Sequence, residues 1–160
     1  MAYTLSPLVG RSPVEVEFIV GPLVEVVIEP IIYSDAMRCL AAHRAAGDRL
    51  LIISASAHFL VSAIGERLGV EEVLAIDCEL QHGCYSGKTS GVLTDREGKV
   101  TRLAAWLEAE GESLDGAHFY SDSRNDLPLL QQVPHPHAVN PDSTLRAHAE
   151  QAGWDILTWH

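Results

Sequence analysis

Two aspartates four residues apart are the residues of this chain best suited to binding a metal ion. Asp122 and Asp126 follow the short apolar segment 117–120, which is predicted to be a strand that leads into a helix. Carboxylate oxygens at the carboxyl end of such a strand suit Mg²⁺, which prefers oxygen ligands and keeps part of its water shell. Acidic residues at a helix N-terminus also interact favourably with the helix dipole, so the pair alone indicates either role.

Two other residues could bind a phosphoryl group. Ser54 follows the apolar run 51–53, and Ser56 comes just before a predicted helix. A hydroxyl beside the backbone N–H groups of a helix start can bind a phosphoryl oxygen, although a serine in this place is also a common helix cap. Lys99 opens the predicted amphipathic helix 99–110. Its ammonium group could neutralise a phosphoryl group or simply be solvated.

Alternating strand-like and helix-like segments would position these residues. The predicted helices are 34–46, 57–68, 99–110, 127–132 and 143–152, and the predicted strands are 49–54, 73–76, 117–120 and 138–139. A small hairpin is predicted over 78–86, with glycine in its turn. This alternation favours an α/β fold with helices on both faces of a sheet. No linker long enough to divide two domains is present.

The N-terminal segment 12–29 leaves two interpretations open. Ser12-Pro13-Val14-Glu15 has the pattern of a capping box with proline at the first helical position, which predicts a helix. Gly21-Pro22 is expected to interrupt that helix, with a second one over 22–29. The segments 14–20 and 23–28 are also rich in valine and isoleucine, so strands are the alternative.

Composition excludes several classes of protein. The chain has 160 residues, 47% of them hydrophobic, and a formal net charge of −11. We therefore expect one soluble globular domain that binds neither nucleic acid nor an anionic membrane surface. Cys39, Cys78 and Cys84 contain no Cys-x-x-Cys spacing, which fits reduced thiols in the cytoplasm. Neither Cys78-His82-Cys84 nor His135-Pro-His137 favours a metal site, and the two histidines are expected in a surface loop.

Taken in order, the candidate residues resemble the motifs of the haloacid dehalogenase superfamily, in the branch that includes phosphoserine phosphatase. Residues 52–54 resemble the second motif, Lys99 within 97–100 the third, and residues 120–126 the fourth. The resemblance covers the chain from Ser34 to its end. It implies a Rossmann-like three-layer α/β sandwich with a mainly parallel sheet, in which 34–160 form the core and 1–33 a remnant of a helical cap.

The resemblance also implies a chemistry. Members of the family hydrolyse phosphate monoesters with Mg²⁺, through an aspartate that attacks phosphorus and a second aspartate that acts as general acid and base. Here Asp122 would bind Mg²⁺, and Asp126 would support the metal directly or through water. Ser54 and Lys99 would hold the phosphoryl oxygens, with Ser56 and Asn125 in supporting roles. The implied partner is a small phosphorylated metabolite.

One required motif is absent from the sequence. No two aspartates are separated by a single residue, so the nucleophilic Asp-x-Asp is not found. The family pattern implies that the first strand and part of the cap are missing, which would make this chain a truncated and inactive hydrolase. That strand would lie between the strands of Ser54 and Asp122. Segments 14–20 or 23–28, or a partner chain in a homodimer, could fill the gap.

Two other hypotheses follow from the same absence. In the first, the 160 residues are complete and form a catalytically dead relative that binds metal or phosphate, or acts in assembly. In the second, the chain is a receiver-type signalling domain, which shares acidic strand ends and a lysine. The receiver hypothesis is disfavoured because no acidic pair lies near the start of the chain.

Overall fold

The computed structural model describes residues 5–160 and divides the chain into two compact units after Thr94. The first unit contains three α-helices and a three-stranded sheet. Its helices are α1 (Pro13–Leu23), α2 (Ser34–Ala45) and α3 (His58–Leu68), and its strands are β1 (Leu51–Ala57), β2 (Glu72–Gln81) and β3 (Cys84–Ser90). β1 pairs in parallel with β2, which forms an antiparallel hairpin with β3. Helices 34–46 and 57–68 are therefore confirmed to within one residue at each end.

The N-terminal segment of the first unit is helical, so the strand alternative for 14–20 and 23–28 is wrong. Ser12 and Glu15 form the predicted capping box, with each side chain bonded to the other residue's backbone N–H. The expected break at Gly21-Pro22 is also absent, since α1 continues directly into a wider helical turn, Val24–Ile28, and a 3₁₀ turn, Glu29–Ile31.

A hydrophobic stripe explains why this valine-rich segment is helical. Val16, Val20 and Val24 recur every four residues, and all three are buried in one cluster. Phe59 and Ile64 of α3 pack against that cluster. Because a spacing of four places side chains on one helix face, burial of the stripe outweighs the strand preference of the individual residues.

The second unit contains a parallel sheet with helices. Its helices are α4 (Glu97–Glu110), α5 (Leu127–Leu130) and α6 (Ser143–Ala152), and its strands are β4 (His118–Ser121), β5 (His135–Val139) and β6 (Asp155–Leu157). Strand order is β4-β5-β6, with both neighbouring pairs parallel. The core contains Leu130, Ala138, Leu145 and Ala149, against which Phe119 and Ile156 pack.

Two predictions about the second unit need correction. The predicted short helix 127–132 is present and begins at Leu127, but α5 ends two residues earlier than predicted, at Leu130, and a 3₁₀ turn, Arg124–Asp126, precedes it. The histidines of His135-Pro-His137 lie in β5 rather than in a surface loop, and His137 is buried.

The fold class follows from the two sheets. Strands and helices alternate, and three of the four strand pairs are parallel, which confirms the predicted α/β class. Within the described residues, β1 and β4 each have a paired neighbour on one side only. No helix in residues 5–160 is long and apolar enough to cross a membrane.

Candidate functional site

A buried ion pair joins two of the predicted site residues in the second unit. Lys99 lies in the first turn of α4, and Asp126 ends the 3₁₀ turn that follows β4. The Lys99 Nζ atom is 2.6 Å from Asp126 Oδ1. Only 7% of Lys99 and 8% of Asp126 is exposed to solvent. Burying two charged side chains costs free energy even when they form an ion pair. This pair therefore needs either a structural or a chemical explanation.

A third side chain completes the arrangement around Asp126. Ser121 is the last residue of β4 and is also buried. Its hydroxyl donates to Asp126 Oδ2 at 2.5 Å and accepts from the Ser123 N–H at 3.1 Å. Sequence reasoning missed Ser121. The available signal was a hydroxyl at the end of an apolar strand, directly before the acidic run.

Asp122 lies beside this arrangement but faces solvent. It directly follows β4, and its carboxylate has no hydrogen-bond or ion-pair partner within the described part of the chain. Its backbone carbonyl accepts from the Asp142 N–H at 2.9 Å. Asn125, a predicted supporting residue, is exposed, and its backbone N–H donates to the Ser123 hydroxyl at 3.1 Å.

Asp142 fixes the loop that carries Asp122. Its carboxylate caps α6 by accepting from the Leu145 N–H at 2.8 Å, and it also accepts from the Arg124 N–H at 2.7 Å. The Leu145 N–H is the main cause of the lowered pKa of Asp142, and the Arg124 N–H acts in the same direction. The capped helix therefore holds the loop through contacts that are separate from those of Ser121.

The carboxylates present fit a magnesium ion. Asp126 Oδ1 is fully buried against the Lys99 ammonium group at 2.6 Å. A carboxylate oxygen has two lone pairs, so this contact uses only one of them. Asp122 offers a second, solvated carboxylate. Residues 5–160 contain no group of three or more His, Cys, Asp or Glu side chains that could enclose a metal. Two carboxylates are nevertheless the usual protein share for Mg²⁺, which completes its shell with water and substrate oxygens.

Ser54 and Ser56 lie in the first unit, in a place that differs from the prediction. Regular pairing of β1 with β2 ends at Ile53, but the strand continues to Ala57, so Ser54 lies within the strand and not at its end. The Ser54 hydroxyl accepts from the Ser56 N–H at 3.1 Å, and the Ser54 carbonyl accepts from the buried Thr94 hydroxyl at 2.5 Å. The proposed phosphoryl contact of Ser54 stays a prediction.

A second polar arrangement in the second unit was not expected. His118 Nδ1 lies 2.9 Å from His137 Nε2, and His137 Nδ1 lies 3.2 Å from Asp155 Oδ2. The ring of Tyr120 stacks on His137 with centroids 4.4 Å apart. The signal for this histidine chain was two histidines in one strand, but the proline between them favoured a loop.

Comparison with known proteins agrees with the motifs. A family profile for haloacid dehalogenase-like hydrolases matches residues 2–131. A histidinol-phosphatase of Neisseria meningitidis is 37% identical over 99% of this chain and 73% of its own length. Phosphoserine phosphatase SerB1 of Mycobacterium tuberculosis is 31% identical over 92% of this chain, which spans only 48% of that protein.

Solved structures show the same architecture. A Bordetella pertussis protein of unknown function has a TM-score of 0.90 and 37% identity, over 96% of this chain and 70% of its own. A phosphoserine phosphatase captured as a phospho-aspartyl intermediate analogue has a TM-score of 0.66 over 96% of this chain. At 19% identity, the latter likeness supports the Rossmann-like fold alone.

Proposed function

Because the chain belongs to the haloacid dehalogenase-like hydrolase family, we propose that it carries the metal-binding and phosphoryl-binding part of a Mg²⁺-dependent phosphomonoester hydrolase. The observation that carries this proposal is the buried Lys99–Asp126 ion pair, which lies at the carboxyl end of a parallel strand, beside the exposed Asp122. Ligand sites of parallel α/β sheets form at this end of the strands.

Each residue has a distinct part in the proposed site. Asp122 and Asp126 would hold Mg²⁺, which supplies charge neutralisation to the phosphoryl oxygens when it is bound. Lys99 keeps a positive charge fixed at the buried side of Asp126 and would offset the charge of an incoming phosphoryl group. Ser54 is proposed to hold a phosphoryl oxygen, with Ser56 and Asn125 in supporting roles.

The attacking group is not among these residues. In the family chemistry an aspartate oxygen forms a bond to phosphorus while the bond to the leaving alcohol breaks, and water then releases phosphate. Since this sequence has no Asp-x-Asp, we propose that residues 1–160 alone bind the metal without turnover. A segment outside these residues, or a partner chain, would supply the nucleophile. The assignment of residues 1–33 to a helical cap is part of this proposal.

The substrate class is proposed from the relatives. The chain matches proteins named histidinol-phosphatase and phosphoserine phosphatase. These names support a small phosphorylated metabolite as the substrate. The three cysteines are free, and the net charge is −11, which supports a reducing cytoplasmic location and a substrate other than nucleic acid.

One alternative keeps the site but not the reaction. A catalytically inactive member of the family could use the same carboxylates and lysine to bind metal or phosphate, or act in assembly. The specific observation in its favour is that the Lys99–Asp126 pair is formed although the sequence has no Asp-x-Asp. The binding residues are therefore present without the attacking group. Activity restored by an added chain or segment would support the hydrolase over this alternative.

The experiment that tests the proposal measures binding and turnover on the same samples. Mg²⁺ binding is followed by calorimetry, and phosphate release from an aryl phosphate is followed with saturating Mg²⁺. Wild-type chain, Asp122→Asn and the control Asp115→Asn, which replaces an exposed aspartate that precedes β4 instead of following it, are compared. We expect binding by wild type and the control, no binding by Asp122→Asn, and no turnover.

Two results would contradict the proposal. Wild-type chain that fails to bind Mg²⁺ would remove the metal site, and with it the assigned roles of Asp122 and Asp126. Turnover by wild type that Asp122→Asn abolishes would show that residues 1–160 contain a nucleophile after all, so the proposed missing group would be wrong.

A further inference from the structure

The carboxylate of Asp126 is shared by two neighbours of different kinds. Lys99 Nζ contacts Oδ1, and the Ser121 hydroxyl donates to Oδ2. Rotation about the last torsion of an aspartate is broad, so a single ion pair at one oxygen does not fix the plane of the carboxylate. A hydrogen bond to the second oxygen does fix it, because a partial turn of the carboxylate would break that bond.

The direction of the Ser121 hydrogen bond is fixed by its surroundings. A serine hydroxyl has one proton to donate, and the Ser123 N–H already occupies one of its lone pairs. An ionised carboxylate only accepts. The hydroxyl proton therefore points at Asp126 Oδ2. Since Ser121 and Asp126 are 8% exposed each and Lys99 is 7% exposed, bulk water is poorly placed to replace this bond.

Ser121 is also held by regular secondary structure to a greater extent than Asp126. It lies in β4, opposite Ala138 of the neighbouring strand β5, whereas Asp126 ends a three-residue 3₁₀ turn. A hydrogen bond from strand to turn therefore transfers the rigidity of the sheet to the carboxylate. Functional carboxylates keep their geometry only when such supporting bonds exist.

We infer that Ser121 is a positioning residue, which holds the Asp126 carboxylate so that Oδ1 stays turned toward Lys99 and toward the cation of the proposed site. This inference rests on the proposed function. Ser121 itself touches neither metal nor substrate in this scheme. Loss of its hydroxyl lets the carboxylate rotate, which lowers metal affinity while leaving both metal ligands in the chain.

The expected size of the effect follows from the kind of bond lost. Hydrogen bonds to charged groups are among the stronger ones in proteins, particularly where water is excluded. We expect Ser121→Ala to weaken Mg²⁺ binding about tenfold, which corresponds to about 1.4 kcal/mol. Ser121→Thr keeps the hydroxyl and should bind within about threefold of wild type, which corresponds to less than 1 kcal/mol.

The test measures metal dissociation constants, not activity. Calorimetry with Mg²⁺ compares wild type, Ser121→Ala, Ser121→Thr and Ser123→Ala, the last of which removes a neighbouring hydroxyl that caps the 3₁₀ turn but does not touch Asp126. We expect Ser123→Ala to bind within about threefold of wild type.

The outcomes separate this inference from the proposed function. If wild type and Ser121→Ala bind Mg²⁺ equally, the inference is overturned and the proposed metal site stands. If wild type does not bind, the proposed function fails, and the inference fails with it. Urea unfolding of each variant shows whether it is folded. Should Ser121→Ala not fold, Ser121→Cys replaces it, and weakened binding by this poorer donor is the supporting result.

Discussion

The second unit contains two polar arrangements that differ in burial and in position on one sheet. The acid–lysine cluster, Lys99, Ser121 and Asp126, is buried throughout and begins at the last residue of β4. The histidine chain, His118, His137 and Asp155, begins at the first residue of β4 and ends in a carboxylate that is 71% exposed. Residues 118 and 121 lie on opposite faces because side chains alternate along a strand.

The difference in position supports assigning the proposed metal site to the acid–lysine cluster. Members of the acid–lysine cluster are held between strand, turn and helix at the end of the sheet where ligands bind in α/β folds. The histidine chain crosses three neighbouring strands from the first residue of β4, and its ring stacking and the His118–His137 hydrogen bond support the sheet itself. We therefore expect changes in the first cluster to affect both folding and metal binding, and changes in the second to affect folding alone.

The largest expected effect is loss of the buried cation. Lys99→Met leaves the Asp126 carboxylate buried without its counter-charge, which typically costs about 3–5 kcal/mol in the free energy of unfolding. Urea denaturation measures this value. Lys88→Met is the control, because Lys88 is exposed. The double variant Lys99→Met/Asp126→Leu should recover much of the loss, and failure to recover any would show that the cost has another origin.

A smaller effect is expected at the centre of the histidine chain. His137→Ala removes a buried ring that contacts His118, Asp155 and Tyr120, so we expect a loss of about 1–3 kcal/mol in unfolding free energy. His135→Ala removes an exposed ring of the same strand that stacks on His118, and it should cost less, about 1 kcal/mol or below. Equal losses in the two variants would contradict a specific stabilising role for His137 in the histidine chain.

The loop beside the acid–lysine cluster should respond to pH. Asp142→Ala removes a helix cap and a loop contact, which typically costs about 0.5–2 kcal/mol. Because the folded pKa of Asp142 is lowered, its contribution is present above the unfolded value near 3.8 and is lost as pH falls through the folded pKa. Urea midpoints of wild type and variant should differ at pH 7 and converge in acid. A pH-independent difference would exclude the charge as the cause.

The smallest effect is expected at the exposed end of the histidine chain. Asp155→Asn removes a charge that is mostly in water, so the unfolding free energy should fall by about 1 kcal/mol or less. The loss should shrink further in high salt, since exposed ion pairs are screened. A loss as large as that of His137→Ala would place the carboxylate, not the ring, at the centre of this arrangement.

Local pattern was enough to predict part of this molecule. The capping box at Ser12, the helix after Ser34 and the alternation of strands and helices depend on neighbouring residues, and all are present in the structure. The pairing of Lys99 with Asp126 brings two predicted site residues together, although the sequence assigned them separate roles.

Other features depend on contacts that the sequence does not display. The valine-rich segment after Pro13 forms a helix because Val16, Val20 and Val24 find a surface on α3, and strand propensity alone carries no information about that surface. The Ser121–Asp126 bond depends on how a five-residue loop turns back on its strand.

Pro136 explains why the histidine chain was missed. A proline between two histidines favours a loop, because proline cannot donate to a strand ladder. In the structure, pairing of β5 with β6 begins only at His137, so Pro136 has a paired neighbour on the β4 side alone. The missing N–H is therefore tolerated, because β5 lies between two strands only from His137 onward.

Thermal unfolding with and without Mg²⁺ tests most directly whether the acid–lysine cluster belongs to a metal site. A ligand that binds only the folded state raises the unfolding temperature. We predict that Mg²⁺ raises the unfolding temperature of wild type and of Asp155→Asn, but not that of Asp122→Asn. An increase that survives in Asp122→Asn, or no increase in wild type, would contradict the metal site and leave the Lys99–Asp126 pair as a structural feature.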